Sequence, residues 1–113
     1  MSEAIVVFMT TANADEARRI ADRLVEAQLA ACVQILPEIV SVYRWRNEVQ
    51  RESEVLVLAK TTAARFEELE REVRAIHSYE TPEIIAVPIV AGSRAYLQWL
   101  EQTINPELRR SAP

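Results

Sequence analysis

The sequence predicts an α+β domain, a ferredoxin-like βαββαβ sandwich followed by a C-terminal helix. Three observations carry that prediction. Short apolar runs and amphipathic segments follow one another in the order β-α-β-β-α-β, and a last amphipathic segment comes after them. Proline interrupts only the second and fourth apolar runs, at Pro37 and Pro88. In this topology those two strands lie at the sheet edges, where a missing N–H breaks no ladder bond. Finally, "IVVFM", "VLVLA" and "IIAVPIV" are apolar at both parities, so both faces of the sheet must be buried.

Each element has its own local reason. Ala4–Thr10 (AIVVFMT) is a short, nearly continuous apolar run and reads as a buried strand. Thr11 or Asn13 then caps a helix, and Asp15 and Glu16 suit its positive N-terminal end. Ala17, Ile20, Ala21, Leu24, Val25 and Leu29 recur at helical spacing and form its apolar face. "ACVQIL" is the second strand, stopped or bulged at Pro37, and "IVSVYRW" continues extended. "RNEVQRE" is polar and reads as a turn, and Ser53–Thr61 (SEVLVLAKT) as a fully apolar third strand. "TAARFEELEREVRAIH" is the second amphipathic helix, with Phe66, Leu69, Val73 and Ile76 as its buried stripe. Glu67 and Glu70 each precede an arginine by four residues, so its charged face reads as exposed ion pairs, Glu67–Arg71 and Glu70–Arg74. "SYETP" is a loop in which Pro82 holds Thr81 extended, and "EIIAVPIV" is the fourth strand. Ser93 caps a last helix carrying Tyr96, Leu97, Leu100 and Ile104.

A ferredoxin-like sheet has helices on one face only. The terminal helix can cover part of the other face, and symmetric copies of the chain are the commonest cover for the rest. A homo-oligomer is therefore expected from the pattern itself.

The 113 residues make a single domain, 1–113, with about 106–113 as a flexible tail. A net charge of −4 and a pI near 5.1 argue against nucleic acid or an anionic membrane as partner. No stretch approaches the ~20 apolar residues of a membrane span, and the N-terminus lacks the basic start of a signal peptide. One cysteine makes no internal disulfide, which points to a reducing compartment and a cytoplasmic location. One glycine excludes Gly-rich phosphate loops. One lysine, Lys60, stands against twelve arginines and draws attention as a compact ammonium.

Chemistry-bearing residues are few. A structural metal site needs about four ligands at short spacing, and the single Cys32 and single His77 lie far apart in the chain. Cys32 reads first as a small buried hydrophobe on a strand, and His77 as a partly exposed residue at a helix end. An acid–base reading would use His77, Glu80, Glu83 and Lys60, but no nucleophile arrangement or cofactor fingerprint accompanies them. The third strand lacks the aromatics of an RNA-recognition sheet. Tyr43 and Trp45 in "YRWR" share one strand face and read as packing or interface anchors.

The segments "LVEAQLAACVQILPEIVSVYRW", "EVLVLAKT" and "IHSYETPEIIAVPIVAGSRAYLQWL" resemble the divalent-cation-tolerance protein family, CutA, in order and spacing. With the first strand they cover nearly the whole chain. The resemblance implies a ferredoxin-like homotrimer, similar in build to nitrogen-regulatory signal-transduction trimers. It also implies a link to tolerance of copper and other divalent cations in bacteria, and in animals to anchoring of acetylcholinesterase. The family's cysteine falls on Cys32 and its histidine on His77, which makes these two the candidate metal residues, though not one closed intrachain site. Lys60, Tyr79, Glu83, Tyr96 and Trp99 fall on positions that cluster around a cleft between subunits. Gln34 stands where the family usually has Asn, and Asn47 where it commonly has Gly. Asn tolerates the left-handed conformation, so the turn at Asn47 is expected to survive. The function expected is a cytoplasmic trimer for cation tolerance, binding copper or another divalent cation weakly. The alternative is a small-ligand sensor or scaffold trimer that meets a partner protein, and no enzymatic activity is expected.

Overall fold

The computed structural model describes residues 3–105. The expected tail, 106–113, lies outside the described residues. In chain order the elements are β1 (Ala4–Thr11), α1 (Ala14–Glu26), β2 (Cys32–Trp45) and β3 (Glu48–Thr62), then a 3₁₀ turn (Ala63–Arg65) leading into α2 (Phe66–Ile76), β4 (Ile84–Pro88) and α3 (Arg94–Ile104). The strands form one antiparallel sheet in the order β2-β3-β1-β4. Both proline-bearing strands are at the edges, as their missing N–H groups require.

Alternation along β1 and β3 sets the two faces. Ile5, Val7 and Met9 of β1 and Val55, Val57 and Ala59 of β3 bury against Ala17, Ile20 and Leu24 of α1 and Leu69 and Val73 of α2. The opposite face carries Val6, Phe8, Leu56 and Leu58, with Ile85 and Val87 of β4 beside them in register. Neither α1 nor α2 reaches it, and Ile85 stays 55% exposed. α3 closes only one end of the sheet, where Leu100 and Ile104 bury with Ala31.

α1 begins as its sequence directs: the Asn13 side chain accepts the Glu16 N–H at 2.8 Å. It ends in a Schellman turn, with Leu29 N–H on Leu24 C=O (2.9 Å) and Gln28 N–H on Val25 C=O (3.1 Å). Gln28 takes φ 58° there, a conformation that glycine usually supplies. The expected pairs on α2 give way to others: Arg23 bonds Glu72 at 2.6 Å and Arg65 approaches Glu68 at 3.8 Å.

The largest departure from expectation is "RNEVQRE". Only Arg46 and Asn47 turn, with φ 50° and 67°. Positive φ at both central residues is the geometry of a tight hairpin turn, and Asn47 tolerates it as expected. From Glu48 onward the chain is strand, paired from Trp45↔Glu48 to Ile39↔Glu54. β1 stops opposite Val55, so this half of the hairpin is a two-stranded ribbon with water on both faces. Its polar residues follow from that exposure and hide the strand from an apolar-run reading. Pro37 sits in the register shift between Leu36 and Ile39. That bulge reverses the parity of β2: Gln34 and Leu36 lie on the open face before it, Tyr43 and Trp45 after it.

Candidate functional site

The residues singled out by sequence separate into two groups at opposite ends of the sheet. Cys32 pairs with Lys60, Lys60 with Val6, and Val6 with Val87, so the four make one row across the open face. α3 reaches this row through Tyr96. The Lys60 ammonium donates to the Tyr96 hydroxyl at 3.5 Å and lies 5.4 Å from its ring centroid. The Tyr96 and Trp99 rings follow at 5.4 Å, tilted by 45°. Ser93 holds this helix end in place by accepting the Tyr96 N–H. The outcome is a cation backed by two half-exposed aromatics, with Cys32 beside it.

The second group surrounds His77 at the far end of β1. Its ring Nε2 is 2.8 Å from Thr10 C=O, and Tyr79 N–H donates to its Nδ1 at 3.0 Å. The ring is fully buried, not partly exposed, because these two main-chain bonds draw it under the loop. Glu16 Oε1 lies 3.6 Å from Nδ1, buried and without a hydrogen-bond partner. The Tyr79 ring packs against His77 at 4.8 Å, and its hydroxyl donates to Glu54 at 2.8 Å. Burial first, and then the bond to Glu54, push the Tyr79 phenol well above its ordinary value. Nearby, Tyr43 donates to Glu52, and that bond is the main cause raising the Tyr43 phenol. Glu80 and Glu83 are exposed, Glu83 one residue before β4 and Glu80 on the rim of an open groove with Glu70, Arg71 and Arg74.

His77 and Lys60 therefore do not share a site within one chain. Thr10, which holds His77, is four residues along β1 from Val6, which pairs with Lys60. At ~3.4 Å per residue that is about 14 Å along the strand alone. The same spacing keeps Cys32 from His77. Nor does His77 keep a lone pair for a metal: one nitrogen donates to a carbonyl and the other accepts from an amide. Among the described residues no group of three or more His, Cys, Asp or Glu side chains can hold an ion. The donors of a single copy thus do not fit a closed divalent-cation site. Copper or another cation was the cofactor expected from the resemblance, and this donor set offers it only the Cys32 thiol.

Sequence reasoning assigned Glu16 to the helix dipole and passed over its burial. Its spacing held the signal, because Glu16, Ile20 and Leu24 are four apart and share the buried stripe.

Residues 5–103 match the model of the CutA1 divalent ion tolerance protein family. A "Divalent-cation tolerance protein CutA" of Thermus thermophilus is 48% identical over 97 residues, which is 86% of this chain and 94% of that protein. "Protein CutA, chloroplastic" of Arabidopsis thaliana is 44% identical over 100 residues, 88% of this chain but only 55% of the plant protein. The solved structure of the Thermus thermophilus divalent cation tolerance protein superposes with a TM-score of 0.87 at 47% identity, covering 88% of this chain and 97% of that one. On sequence and on fold alike, this chain belongs to the CutA1 divalent ion tolerance family.

Proposed function

We propose that the chain acts in divalent-cation tolerance as a homotrimer that binds and does not catalyse. The observation that carries the assembly is the open sheet face. Leu36, Ile85 and Val87 stand exposed on it, next to a projecting ribbon that bares Val40, Val42, Trp45 and Val49. A two-stranded ribbon has too little cover to be stable alone, and an apolar face of this extent calls for a partner. Copies of the same chain satisfy both needs, and edge strands β2 and β4 can pair between copies. Cation contact in this reading is confined to the Cys32 thiol, which suits a soft ion such as copper(I), and its affinity is modest. A reducing compartment such as the cytoplasm keeps that thiol free.

The row at Lys60 favours a second reading. An ammonium backed by Tyr96 and Trp99 suits a small anionic ligand with a planar ring, and this would make the trimer a ligand sensor or scaffold. Native mass spectrometry of untagged protein tests both readings. A species near three times 12.9 kDa supports the trimer. Retained copper lost in Cys32→Ser supports the first reading, and a retained organic anion lost in Lys60→Met supports the second. A bare monomer would overturn both.

A further inference from the structure

We propose that His77 is a proton-operated latch on the loop between α2 and β4. This concerns regulation and stands apart from cation or ligand binding. The partners of the ring define its starting state. Thr10 C=O can only accept, so Nε2 carries a hydrogen; Tyr79 N–H can only donate, so Nδ1 carries none. The ring is the neutral Nε2–H tautomer, a tautomer inferred from its bonding partners.

A second partner waits at the same nitrogen. Glu16 Oε1 is 3.6 Å from Nδ1, and it is a buried oxygen with no hydrogen bond of its own. The side chains are 0% and 4% exposed, so water does not serve in its place. Nδ1 thus sits between a donor and an acceptor. The neutral ring satisfies only the donor, Tyr79 N–H. The protonated ring satisfies only the acceptor, Glu16. A proton on Nδ1 sets N–H against N–H on the loop side and gives the orphaned carboxylate a charged partner on the other.

The surrounding groups favour that exchange. Carboxylates face the pair from two elements, Glu16 from α1 and Glu54 and Glu52 from β3, while α2 brings Glu67, Glu70, Arg71 and Arg74, and the loop Glu80, to the groove that Tyr79 lines on its other side. β1 contributes only the Thr10 carbonyl, which the protonated ring keeps. Burial of the extra charge opposes the exchange. Once the Tyr79 amide is expelled, the loop from Ser78 to Glu83 keeps, among the described residues, the phenol bond to Glu54 and the packing of the Tyr79 ring on His77 as its ties to the body. That loop leads directly into edge strand β4 at Ile84. Opening takes up one proton, so the open population grows as pH falls, by at most tenfold per pH unit.

His77 is the only histidine, so every histidine ring signal reports it. The full-length, nitrogen-15-labelled protein is titrated from pH 8 to pH 5. Ring nitrogen shifts and amide hydrogen exchange are followed together. The expected result is the Nε2–H tautomer at pH 8, then protonation of Nδ1 with an at least tenfold loss of protection at the Tyr79 amide, while the Val7 amide in β1 keeps its protection. Glu16→Gln removes the carboxylate that accepts the new Nδ1–H bond, and the loss of Tyr79 protection then requires a lower pH. The proposal is overturned by an Nδ1–H tautomer at pH 8, by protonation that leaves Tyr79 protected, by a loss shared equally with Val7, or by a loss of Tyr79 protection that Glu16→Gln leaves at the same pH. The wild-type titration decides the question even where Glu16→Gln fails to fold.

Discussion

Replacing Ile85 by aspartate should dissolve the proposed trimer without unfolding the single chain. Ile85 lies on β4 opposite Phe8, on the open face, and is 55% exposed in the isolated chain. Covering the remaining half of an Ile side chain contributes about 1–1.5 kcal/mol. An aspartate loses that contribution and adds the cost of stripping water from a carboxylate, several kcal/mol. Each interface then weakens by about 4 kcal/mol, a factor of roughly a thousand, and a closed ring carries the loss at three equivalent places. Inside the single chain the same site is half in water, so the fold itself should lose only about 1 kcal/mol. Light scattering at micromolar concentration should read a mass near 12.9 kDa for Ile85→Asp. Val25→Asp is the control, because Val25 is similarly exposed (43%) but sits on α1, in the other layer. A trimeric Ile85→Asp of unchanged stability would refute the reasoning, and so would dissociation caused equally by Val25→Asp.

Three further outcomes are expected. Gln28→Gly should be more stable than Gln28→Ala by about 1 kcal/mol in denaturant unfolding, since only glycine relieves the left-handed φ of 58° at the end of α1; equal stability would contradict this. Tyr79 holds its phenol proton in the folded chain where the unfolded chain has lost it, so its stabilising contribution is whole below about pH 10 and is lost as pH rises toward the higher folded value. Unfolding midpoints of Tyr79→Phe should accordingly fall less steeply than wild type between pH 9 and pH 11.5, and identical slopes would count against it. Cys32→Ser should lower a modest copper affinity by calorimetry while leaving the assembly intact, and His77→Ala should not lower it; a sub-nanomolar site abolished by both substitutions would contradict this.

The fold was legible because its signals are redundant. Apolar runs marked β1, β4 and the inner half of β3, and a stripe at helical spacing marked α1 and α2. Asn13 and Ser93 marked helix starts, and each side chain does accept the amide three residues on. The outer ribbon was illegible for a physical reason. Residues 48–54 pair with β2 alone, so neither face of that ribbon is core and no apolar alternation is required of it. A hairpin of this kind shows only in its turn, and Arg46 gives no hint of the positive φ that it adopts.

The candidate site was half legible for a different reason. Sequence names residues, but register decides which of them meet. Lys60 and Cys32 are far apart in the chain and become neighbours because β2 and β3 pair antiparallel through the hairpin at Arg46 and Asn47. His77 is removed from both by the four residues that separate Thr10 from Val6 on β1. One extra residue matters as much. Without the bulge at Pro37, the period of two would place Tyr43 and Trp45 on the helix side of the ribbon, away from Glu52. With it, Tyr43 reaches Glu52 on the open face, on the same side as Glu54, which holds Tyr79. Deleting Glu38 removes that one extra residue while Ile39 stays opposite Glu54, so the Tyr43–Glu52 bond should survive and Val40 and Val42 should stay on the helix side. The Tyr43 phenol should then stay raised above its ordinary value, which ultraviolet difference spectra can follow. A Tyr43 phenol that falls back to its ordinary value in that deletion would show that the hairpin slips, and that the residue count between Leu36 and Ile39 does not set the face.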